Sequence, residues 1–278
     1  MSFAGLRVLS LESRRANEME TTIRRLKGDA FVAPSVQERA LEDHRDAIRF
    51  VDRLEAEEFD LVVFMTGAGL AFLRSVIEAY MPLERLAAAL RRVTIVSRGP
   101  KPVPVLRAMN VPVHVVVPEP NTSKEIVEAV AARPERRIAV QEYGRPSLEM
   151  NRALERLGAQ VAPIAIYRWE LPDDRAPLRE AARRLAAGRF DVALFTSSIQ
   201  LDHLLEIARD LGIGDRVIRA LRQDVAVASV GPVMTATLES QGIKPDIVPK
   251  HPKMGSLVKA AAKMAASAVS AKRAARAG

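Results

Sequence analysis

Apolar residues in this chain fall into short continuous runs, separated by longer stretches in which they recur at helical spacing. The runs have the length of strands that are buried on both faces, as in a parallel sheet. They read DLVVF, VTIVS, VHVVV, RIAVQ, DVALF and VAVAS. Helix-spaced segments of about ten to fifteen residues alternate with them. This alternation predicts an α/β fold built from doubly wound parallel sheets.

The same pattern occurs twice along the chain. The segment FDLVVFMTGAG begins at Phe59, and FDVALFTSSIQ begins at Phe190, 131 positions later. Two strand-to-helix turns with a Gly-Pro pair, at Gly99 and Gly231, lie 132 positions apart. A repeat of this length predicts two α/β domains that are related by internal duplication.

Two proline-containing segments are predicted to cross between the domains as a two-stranded β linker. They are FVAPSVQE, which begins at Phe31, and IAIYRWELPDD, which begins at Ile164. One domain would then consist of residues 1–34 and 170–278, and the other of residues 35–168. Because ligands of parallel sheets bind at the carboxyl ends of strands, we expect the functional residues in the turns there.

Composition narrows the class of protein. The 278 residues include no cysteine, which excludes disulfides, thiolate nucleophiles and cysteine-ligated zinc, and favours a cytoplasmic location. No apolar run approaches the roughly 18 residues that span a bilayer. The N-terminus lacks the pattern of a signal peptide. We therefore expect a soluble cytoplasmic protein that does not contact membranes.

The net charge of +8 is concentrated at the C-terminus. Five basic residues and no acidic residue follow position 258: Lys259, Lys263, Lys272, Arg273 and Arg276. We predict that residues 263–278 form a basic, alanine-rich tail, which would be a frayed and solvated helix. With only 4% aromatic residues there is little to stack on nucleic-acid bases, so nucleic-acid binding is disfavoured. No helix has an obvious exposed apolar seam, and we expect a monomer.

The common catalytic motifs are missing from the sequence. Its four histidines lack metal-ligand spacing, so no metal site is expected. There is no GxSxG elbow, no GxGxxG fingerprint and no Walker A motif. Function must therefore come from other features of the strand ends.

Several turns that follow predicted strands can bind anions. MTGAG, SRGPKP, EYGRPS, FTSSI and SVGPVMT each place backbone N–H groups at the start of a helix. The candidate ligand-binding residues in or beside such turns are Arg14, Thr66, Gly67, Arg98, Gly99, Lys101, Gly144, Arg145, Ser197, Ser198, Gly231 and Thr235. Singly, such residues are more often helix caps. Together they would suit a large polyanionic ligand.

Tyr167 ends the apolar run APIAIY, at the start of the predicted linker segment. The pattern alone favours a buried structural tyrosine whose hydroxyl finds a carbonyl group. A phenol at the ligand site could instead donate a proton or hydrogen bond to a leaving group.

The order of these motifs resembles the uroporphyrinogen-III synthase family, and the resemblance extends to about Ala262. It is most specific in the block that begins IAVQEYGRPSLEMNRALERLG and ends YRWELP, and in the paired Phe-Asp strands. The chain departs from the family in three places. The first Phe-Asp strand ends in Met-Thr-Gly-Ala-Gly, where a Thr-Ser followed by Asn is common. The two Gly-Pro turns have Pro102 and Met234 in place of the threonine of Gly-x-x-Thr, with Thr235 one position late.

The resemblance implies two α/β domains joined by a two-stranded linker, with the active site in the cleft between them. It implies a lyase of haem and other tetrapyrrole (porphyrin) biosynthesis that needs no cofactor. The reaction would cyclise hydroxymethylbilane to uroporphyrinogen III, with inversion of ring D and loss of water. Every pyrrole of this substrate carries an acetate and a propionate, which suits the anion-binding turns. Tyr167 corresponds to the family's tyrosine that assists departure of the hydroxyl group.

A second hypothesis stays open on the sequence alone. The chain could be a synthase-like protein of weak or no activity, which would bind a tetrapyrrole and act as a regulatory protein. Such a protein could contact DNA through its basic tail. Pro102, Met234 and the tail are the features that distinguish the two hypotheses.

Overall fold

The computed structural model describes the backbone of residues 1–277 and the side chains of residues 1–275. The chain forms two compact units. Unit 1 consists of Met1–Gln37 and the chain from Glu170 onward, and unit 2 consists of Glu38–Trp169. Both units contain a parallel sheet with helices, so the predicted α/β class is confirmed.

The described residues form eleven strands and twelve helices. The strands are β1 (Arg7–Ser10), β2 (Asp29–Val32), β3 (Gln37–Ala40), β4 (Leu61–Phe64), β5 (Thr94–Ser97), β6 (Val115–Val116), β7 (Arg137–Gln141), β8 (Gln160–Ile164), β9 (Tyr167–Glu170), β10 (Val192–Phe195) and β11 (Ala226–Ser229). The helices are α1 (Ala16–Arg25), α2 (Arg45–Glu55), α3 (Gly67–Tyr80), α4 (Leu83–Leu90), α5 (Val103–Ala108), α6 (Ser123–Ala131), α7 (Leu148–Arg156), α8 (Ala176–Ala186), α9 (Ser198–Asp210), α10 (Gly214–Gln223), α11 (Pro232–Ser240) and α12 (Met254–Ala277).

The sheet of unit 1 has the strand order β11-β10-β1-β2, and all of its pairings are parallel. Ile247 adds an isolated parallel bridge to Ala228, beyond β11. Alternate strand residues face opposite sides. One side packs on α8, α9, α10 and α11, and the other packs on α1 and α12. This sheet is therefore covered on both faces.

The sheet of unit 2 has the order β6-β5-β4-β7-β8, again with parallel pairings throughout. The helices α2, α3 and α4 cover one face, and α6 and α7 cover the other. Helix α2 shows why these segments are helical. Its buried residues Ala47, Phe50, Val51 and Leu54 recur at positions i, i+3, i+4 and i+7, which form one apolar stripe.

The strands β3 and β9 form a separate two-stranded sheet. The backbone N–H of Leu41 donates to the Ile166 carbonyl at 3.1 Å, just beyond the paired residues. The role of these segments as a linker stays a prediction.

Each Phe-Asp pair fixes the start of a central strand. Asp191 accepts hydrogen bonds from the backbone N–H, Nε and Nη2 of Arg7, each at 2.9 Å. Asp60 accepts from the same three groups of Arg137, at 3.2 Å from the backbone N–H and 3.1 Å from Nε. The preceding phenylalanines are buried in the cores. The repeated Phe-Asp therefore ties one strand to its neighbour at the amino edge of each sheet.

The basic tail is not frayed in the described residues, which corrects that part of the sequence-based expectation, although Lys263 and Arg273 on it are exposed. Helix α12 buries Leu257, Ala261 and Val269 against the sheet of unit 1. The Lys272 Nζ donates to backbone carbonyls at 3.1 and 2.7 Å and pairs with Asp246 at 2.9 Å. Alanines let the helix approach the sheet closely, a contact that charge counting does not reveal. The last residue, 278, lies outside the described residues.

Candidate functional site

The predicted site residues divide between the carboxyl edges of the two sheets. In unit 2 they are Thr66, Gly67, Arg98, Gly99, Lys101, Gly144, Arg145 and Tyr167, and in unit 1 they are Arg14, Ser197, Ser198, Gly231 and Thr235. Two of them differ from the rest. Tyr167 begins strand β9, and Thr235 lies within helix α11. The others lie between a strand and the next helix, or begin that helix.

Thr66 and Tyr167 form a hydroxyl pair at the end of β4. Thr66 caps α3, because its Oγ1 accepts a hydrogen bond from the Gly69 N–H at 3.0 Å. The same Oγ1 lies 3.0 Å from the Tyr167 hydroxyl oxygen. Tyr167 is only 3% exposed, and its ring stacks on Phe72 with 5.5 Å between centroids. The tyrosine is thus buried and hydrogen-bonded, with its hydroxyl at the carboxyl edge of the sheet.

The glycines of MTGAG make room for two neighbouring groups. A Cβ on Gly67 would lie 2.5 Å from the Lys101 carbonyl oxygen. A Cβ on Gly69 would lie 2.7 Å from the Cδ of Gln141. The Gln141 Oε1 in turn accepts from the Thr66 N–H at 3.4 Å. The departure from the family's pattern therefore reflects close packing of the next turn and of a buried glutamine, which sequence reasoning did not select.

Arg98 follows strand β5 and is partly buried. Its Nε donates to the Asn121 carbonyl at 2.8 Å, and its guanidinium carbon lies 5.0 Å from the centroid of the Tyr143 ring. Burial lowers the pKa of the guanidinium, which the neighbouring Tyr143 and Tyr167 oppose. Within the described part of the chain, no aspartate or glutamate pairs with it. The carboxyl edge of unit 2 thus contains a partly buried cation that has no carboxylate partner among the described residues.

Gly144 has a role in packing. Its φ of +74° is in the left-handed region, and a Cβ there would lie 2.7 Å from the Trp169 ring. The backbone N–H of Trp169 donates to the Gly144 carbonyl at 3.1 Å. Trp169 also meets Tyr143 edge to face, with centroids 5.4 Å apart. The single tryptophan therefore packs on this turn, one ring away from Arg98. Arg145, the next residue, is partly buried.

A second polar cluster, which sequence reasoning missed, follows strand β7. Glu142, Ser147 and Asn151 are each less than 10% exposed. Glu142 Oε1 accepts from the Ser147 N–H at 3.1 Å, and burial raises the pKa of this carboxyl. In the described residues, neither Ser147 Oγ nor Asn151 Oδ1 has a hydrogen-bond partner. The signal that could have found this cluster was the Glu directly after a buried strand.

In unit 1, the polar groups of the turn after β10 are hydrogen-bonded to neighbouring side chains of the same unit. Gln200 Oε1 accepts from the N–H groups of Thr196 and Ser197 at 2.7 and 3.3 Å. Gln200 Nε2 donates to Thr196 Oγ1 at 2.8 Å, and that hydroxyl donates to Glu12 at 2.5 Å. Ser198 is buried as the first residue of α9. Glu12, Thr196 and Gln200 were not among the predicted site residues.

The Gly-Pro turn of unit 1 also satisfies its hydroxyl groups internally. Thr235 Oγ1 donates to Ser229 Oγ at 2.9 Å, and Ser229 Oγ donates to the Gly231 carbonyl at 3.1 Å. The corresponding bond in unit 2, from Ser97 Oγ to the Gly99 carbonyl, is 2.6 Å long. Arg14, the remaining candidate, is exposed in the turn before α1.

Two classes of site have no support in the described residues. No group of three or more histidine, aspartate or glutamate side chains there could hold a metal ion. No helix among them has the length and apolar character needed to cross a membrane.

Comparison with known proteins agrees with this architecture. A model of the family described as uroporphyrinogen-III synthase HemD matches residues 17–259. A Methanothermobacter thermautotrophicus protein, provisionally named a uroporphyrinogen-III synthase, is 29% identical over 235 residues, 82% of this chain and 87% of the relative. The uncharacterized protein YjjA of Bacillus subtilis is 24% identical over 256 residues, 91% of this chain and 94% of the relative. A crystal structure of a mutant uroporphyrinogen III synthase from Thermus thermophilus has a TM-score of 0.72 and 25% identity, covering 95% of this chain and 99% of that one.

Proposed function

Because this chain belongs to the uroporphyrinogen-III synthase family, we propose that it cyclises hydroxymethylbilane to uroporphyrinogen III, with inversion of ring D and loss of water. The family and its structural relatives support a lyase of tetrapyrrole biosynthesis. The pyrrole nitrogens expel the hydroxyl group, and the resulting cation closes the ring. The protein's contribution would be to hold the bilane so that closure occurs at the substituted carbon.

The observation that carries the proposal is the hydroxyl pair of Thr66 and Tyr167, 3.0 Å apart at the carboxyl edge of unit 2. Thr66 Oγ1 already accepts from the Gly69 N–H, so its own hydrogen can be given to the Tyr167 oxygen. Tyr167 then donates its hydrogen toward the departing hydroxyl of the substrate. Thr66 acts as a positioning residue, because it touches the phenol rather than the substrate.

We assign the remaining candidates to the carboxylates of the substrate. The backbone N–H groups at the starts of α3 and α9 and the side chains of Arg14, Arg98, Lys101 and Arg145 supply donors of the right charge. The corresponding strand orders support an internal duplication, since β11-β10-β1-β2 matches β5-β4-β7-β8. The pairing of β3 with β9 supports a two-stranded linker.

The alternative of a DNA-binding regulator has less support. Lys272 and Arg273 in the basic tail are engaged with Asp246 and Asp191 at 2.9 and 2.8 Å. These two cations are therefore partly neutralised within unit 1.

The test is the isomer formed from freshly prepared hydroxymethylbilane. Spontaneous closure of the bilane gives the type I isomer, so we expect the type III isomer as the main product in the presence of the wild-type chain. The isomers are separated by chromatography after oxidation to porphyrins. Product that stays type I at saturating protein would remove the synthase assignment and favour a synthase-like binding protein.

A further inference from the structure

Arg98 is fixed in place by neighbours that contact its Nε and the face of its guanidinium, but not the edge formed by its two terminal nitrogens. The Nε donates to the Asn121 carbonyl at 2.8 Å, and the guanidinium lies over the Tyr143 ring. The backbone N–H of Arg98 donates to the Phe64 carbonyl at 3.0 Å, which anchors the residue to the end of β4. The two terminal nitrogens form the edge of the fork that binds a carboxylate through two parallel hydrogen bonds.

The charge of Arg98 is not compensated in the residues that the structure describes. Its polar contacts there are the Asn121 carbonyl and the face of Tyr143. Burial disfavours the charged form and lowers its pKa. A partly buried cation without an anion costs the fold free energy, and several other partly buried arginines in this chain do have a carboxylate partner. Arg133, for example, pairs with Glu135 at 2.8 Å.

This charge occurs in only one of the two units. When Gly99 is aligned with Gly231, the position of Arg98 corresponds to Val230 in unit 1. The equivalent turn in unit 1 forms with a valine, so this type of turn does not require an arginine. We therefore attribute Arg98 to a function that only unit 2 performs.

Arg98 also lies in the same cluster as the hydroxyl pair. The backbone N–H of Arg98 donates to the Phe64 carbonyl, and Thr66, whose Oγ1 contacts the Tyr167 hydroxyl, follows Phe64 by two residues. An anion bound at the terminal nitrogens of Arg98 would thus lie near the Tyr167 phenol.

We propose that Arg98 binds one carboxylate of the pyrrole that carries the hydroxymethyl group, and so holds that group beside Tyr167. This inference rests on the proposed function for the identity of the substrate. The carboxylate accepts two hydrogen bonds from the terminal nitrogens of Arg98 and neutralises its charge. Arg98 is then the residue that orients the reacting pyrrole, and the other carboxylates can be bound by backbone groups.

The first measurement is direct binding of a small carboxylate ligand, detected by the fluorescence of the single tryptophan, Trp169. Trp169 contacts Tyr143, whose ring lies beneath the Arg98 guanidinium. The probe is a monopyrrole with one acetate and one propionate side chain, which does not cyclise. Its dimethyl ester is the chemical control. We expect saturable quenching by the free acid, none by the ester, and a Kd about 10- to 100-fold weaker for Arg98→Gln. Arg98→Lys should be intermediate, because it keeps the charge but loses the fork.

The second measurement is the KM for hydroxymethylbilane, with Arg107→Gln as the matched control. Arg107 is an exposed arginine near the end of α5. We expect a KM about 10- to 100-fold higher for Arg98→Gln and an unchanged KM for Arg107→Gln. The Tm of Arg98→Gln should equal or exceed that of the wild type, since an uncompensated charge has been removed.

The outcomes separate this inference from the proposed function. Type III product formed by Arg98→Gln at the wild-type KM would overturn the inference and leave the function intact. Arg98-dependent binding of the monopyrrole by a chain that forms no type III isomer would support the carboxylate site while removing the synthase assignment. A lowered Tm of Arg98→Gln with unchanged Kd would show that the arginine only stabilises the fold, and would also overturn the inference.

Discussion

Four strands follow corresponding orders in the two units, but the polar groups at the carboxyl edges of the two sheets have different partners. In unit 1 the groups are paired with each other: Thr196 donates to Glu12, and Thr235 donates to Ser229. In unit 2 the Arg98 charge has no carboxylate, and Ser147 Oγ has no partner, among the described residues. The hydroxyl groups of Thr196 and Thr235 in unit 1 are therefore already hydrogen-bonded within the protein, whereas unit 2 has polar groups that a ligand can satisfy.

The amino edges of the two sheets are alike, which makes the contrast at the carboxyl edges more informative. Asp191 with Arg7 and Asp60 with Arg137 form the same three-bond contact. The amino edges serve the fold in both units. The divergence lies at the edge where parallel sheets bind ligands.

The largest expected change in stability tests the similarity of the amino edges. Asp191 is nearly buried, with 7% of its side chain exposed, whereas Asp60 keeps 32% exposed. We expect Asp191→Asn to lower the free energy of unfolding by about 2–3 kcal/mol, because it loses charged hydrogen bonds. Asp60→Asn should cost about 1 kcal/mol, because its pair is more exposed. Chemical denaturation monitored by circular dichroism measures the free energy of unfolding of both variants.

The loss caused by Asp191→Asn should depend on pH in a defined direction. The hydrogen bond and charge of Arg7 hold the pKa of Asp191 below its ordinary value. A depressed pKa contributes stability that is fully present above the unfolded pKa of about 4 and is lost as pH falls through the folded pKa. The difference between wild type and variant should therefore shrink in acid. A difference that stays constant from pH 7 to pH 3 would contradict the ion-pair account.

The next effect tests the contrast at the starts of α3 and α9. Gly67→Ala places a Cβ against the Lys101 carbonyl, and we expect it to cost about 2 kcal/mol through forced backbone movement. The matched control is Ser198→Ala, since Ser198 already carries a Cβ at the corresponding place in unit 1. Chemical denaturation monitored by circular dichroism measures both variants. Wild-type stability in Gly67→Ala would show that the turn is not tightly packed.

The sequence alone predicts the α/β class and the strand ends at which functional groups lie. Continuous apolar runs and the repeat of Phe-Asp carry that information. A strand of a parallel sheet is buried on both faces, so it requires a continuous run of apolar residues. The partners of those groups could not be predicted. That Gln141 fills the space over Gly69, or that Ser147 and Asn151 face Glu142, depends on contacts between separate segments. The packing of α12 was also missed, because an alanine-rich helix has no strong amphipathic pattern.

The smallest expected effect concerns Glu142, the buried carboxyl of unit 2. Burial raises its pKa, so the folded chain holds this proton more tightly than the unfolded chain. Stability is therefore lost as pH rises from about 4 through the raised folded pKa. We expect Glu142→Gln to stabilise the protein at pH 7 and to give no gain in stability below pH 4. The gain at pH 7 should be smaller than each of the three losses of stability given above. Thermal unfolding at several pH values measures this, and a loss of stability at pH 7 would indicate that the charged form is favoured.

The most direct test of the central claim is the rate at which a Tyr167→Phe variant forms uroporphyrinogen III, compared with Tyr80→Phe. Tyr80 is 59% exposed on the same unit and is the matched control. The phenol hydroxyl that contacts Thr66 is proposed to assist departure of the substrate hydroxyl. We therefore predict a fall in kcat of roughly 100-fold for Tyr167→Phe and no change for Tyr80→Phe. Undiminished kcat for type III product in Tyr167→Phe would contradict the account.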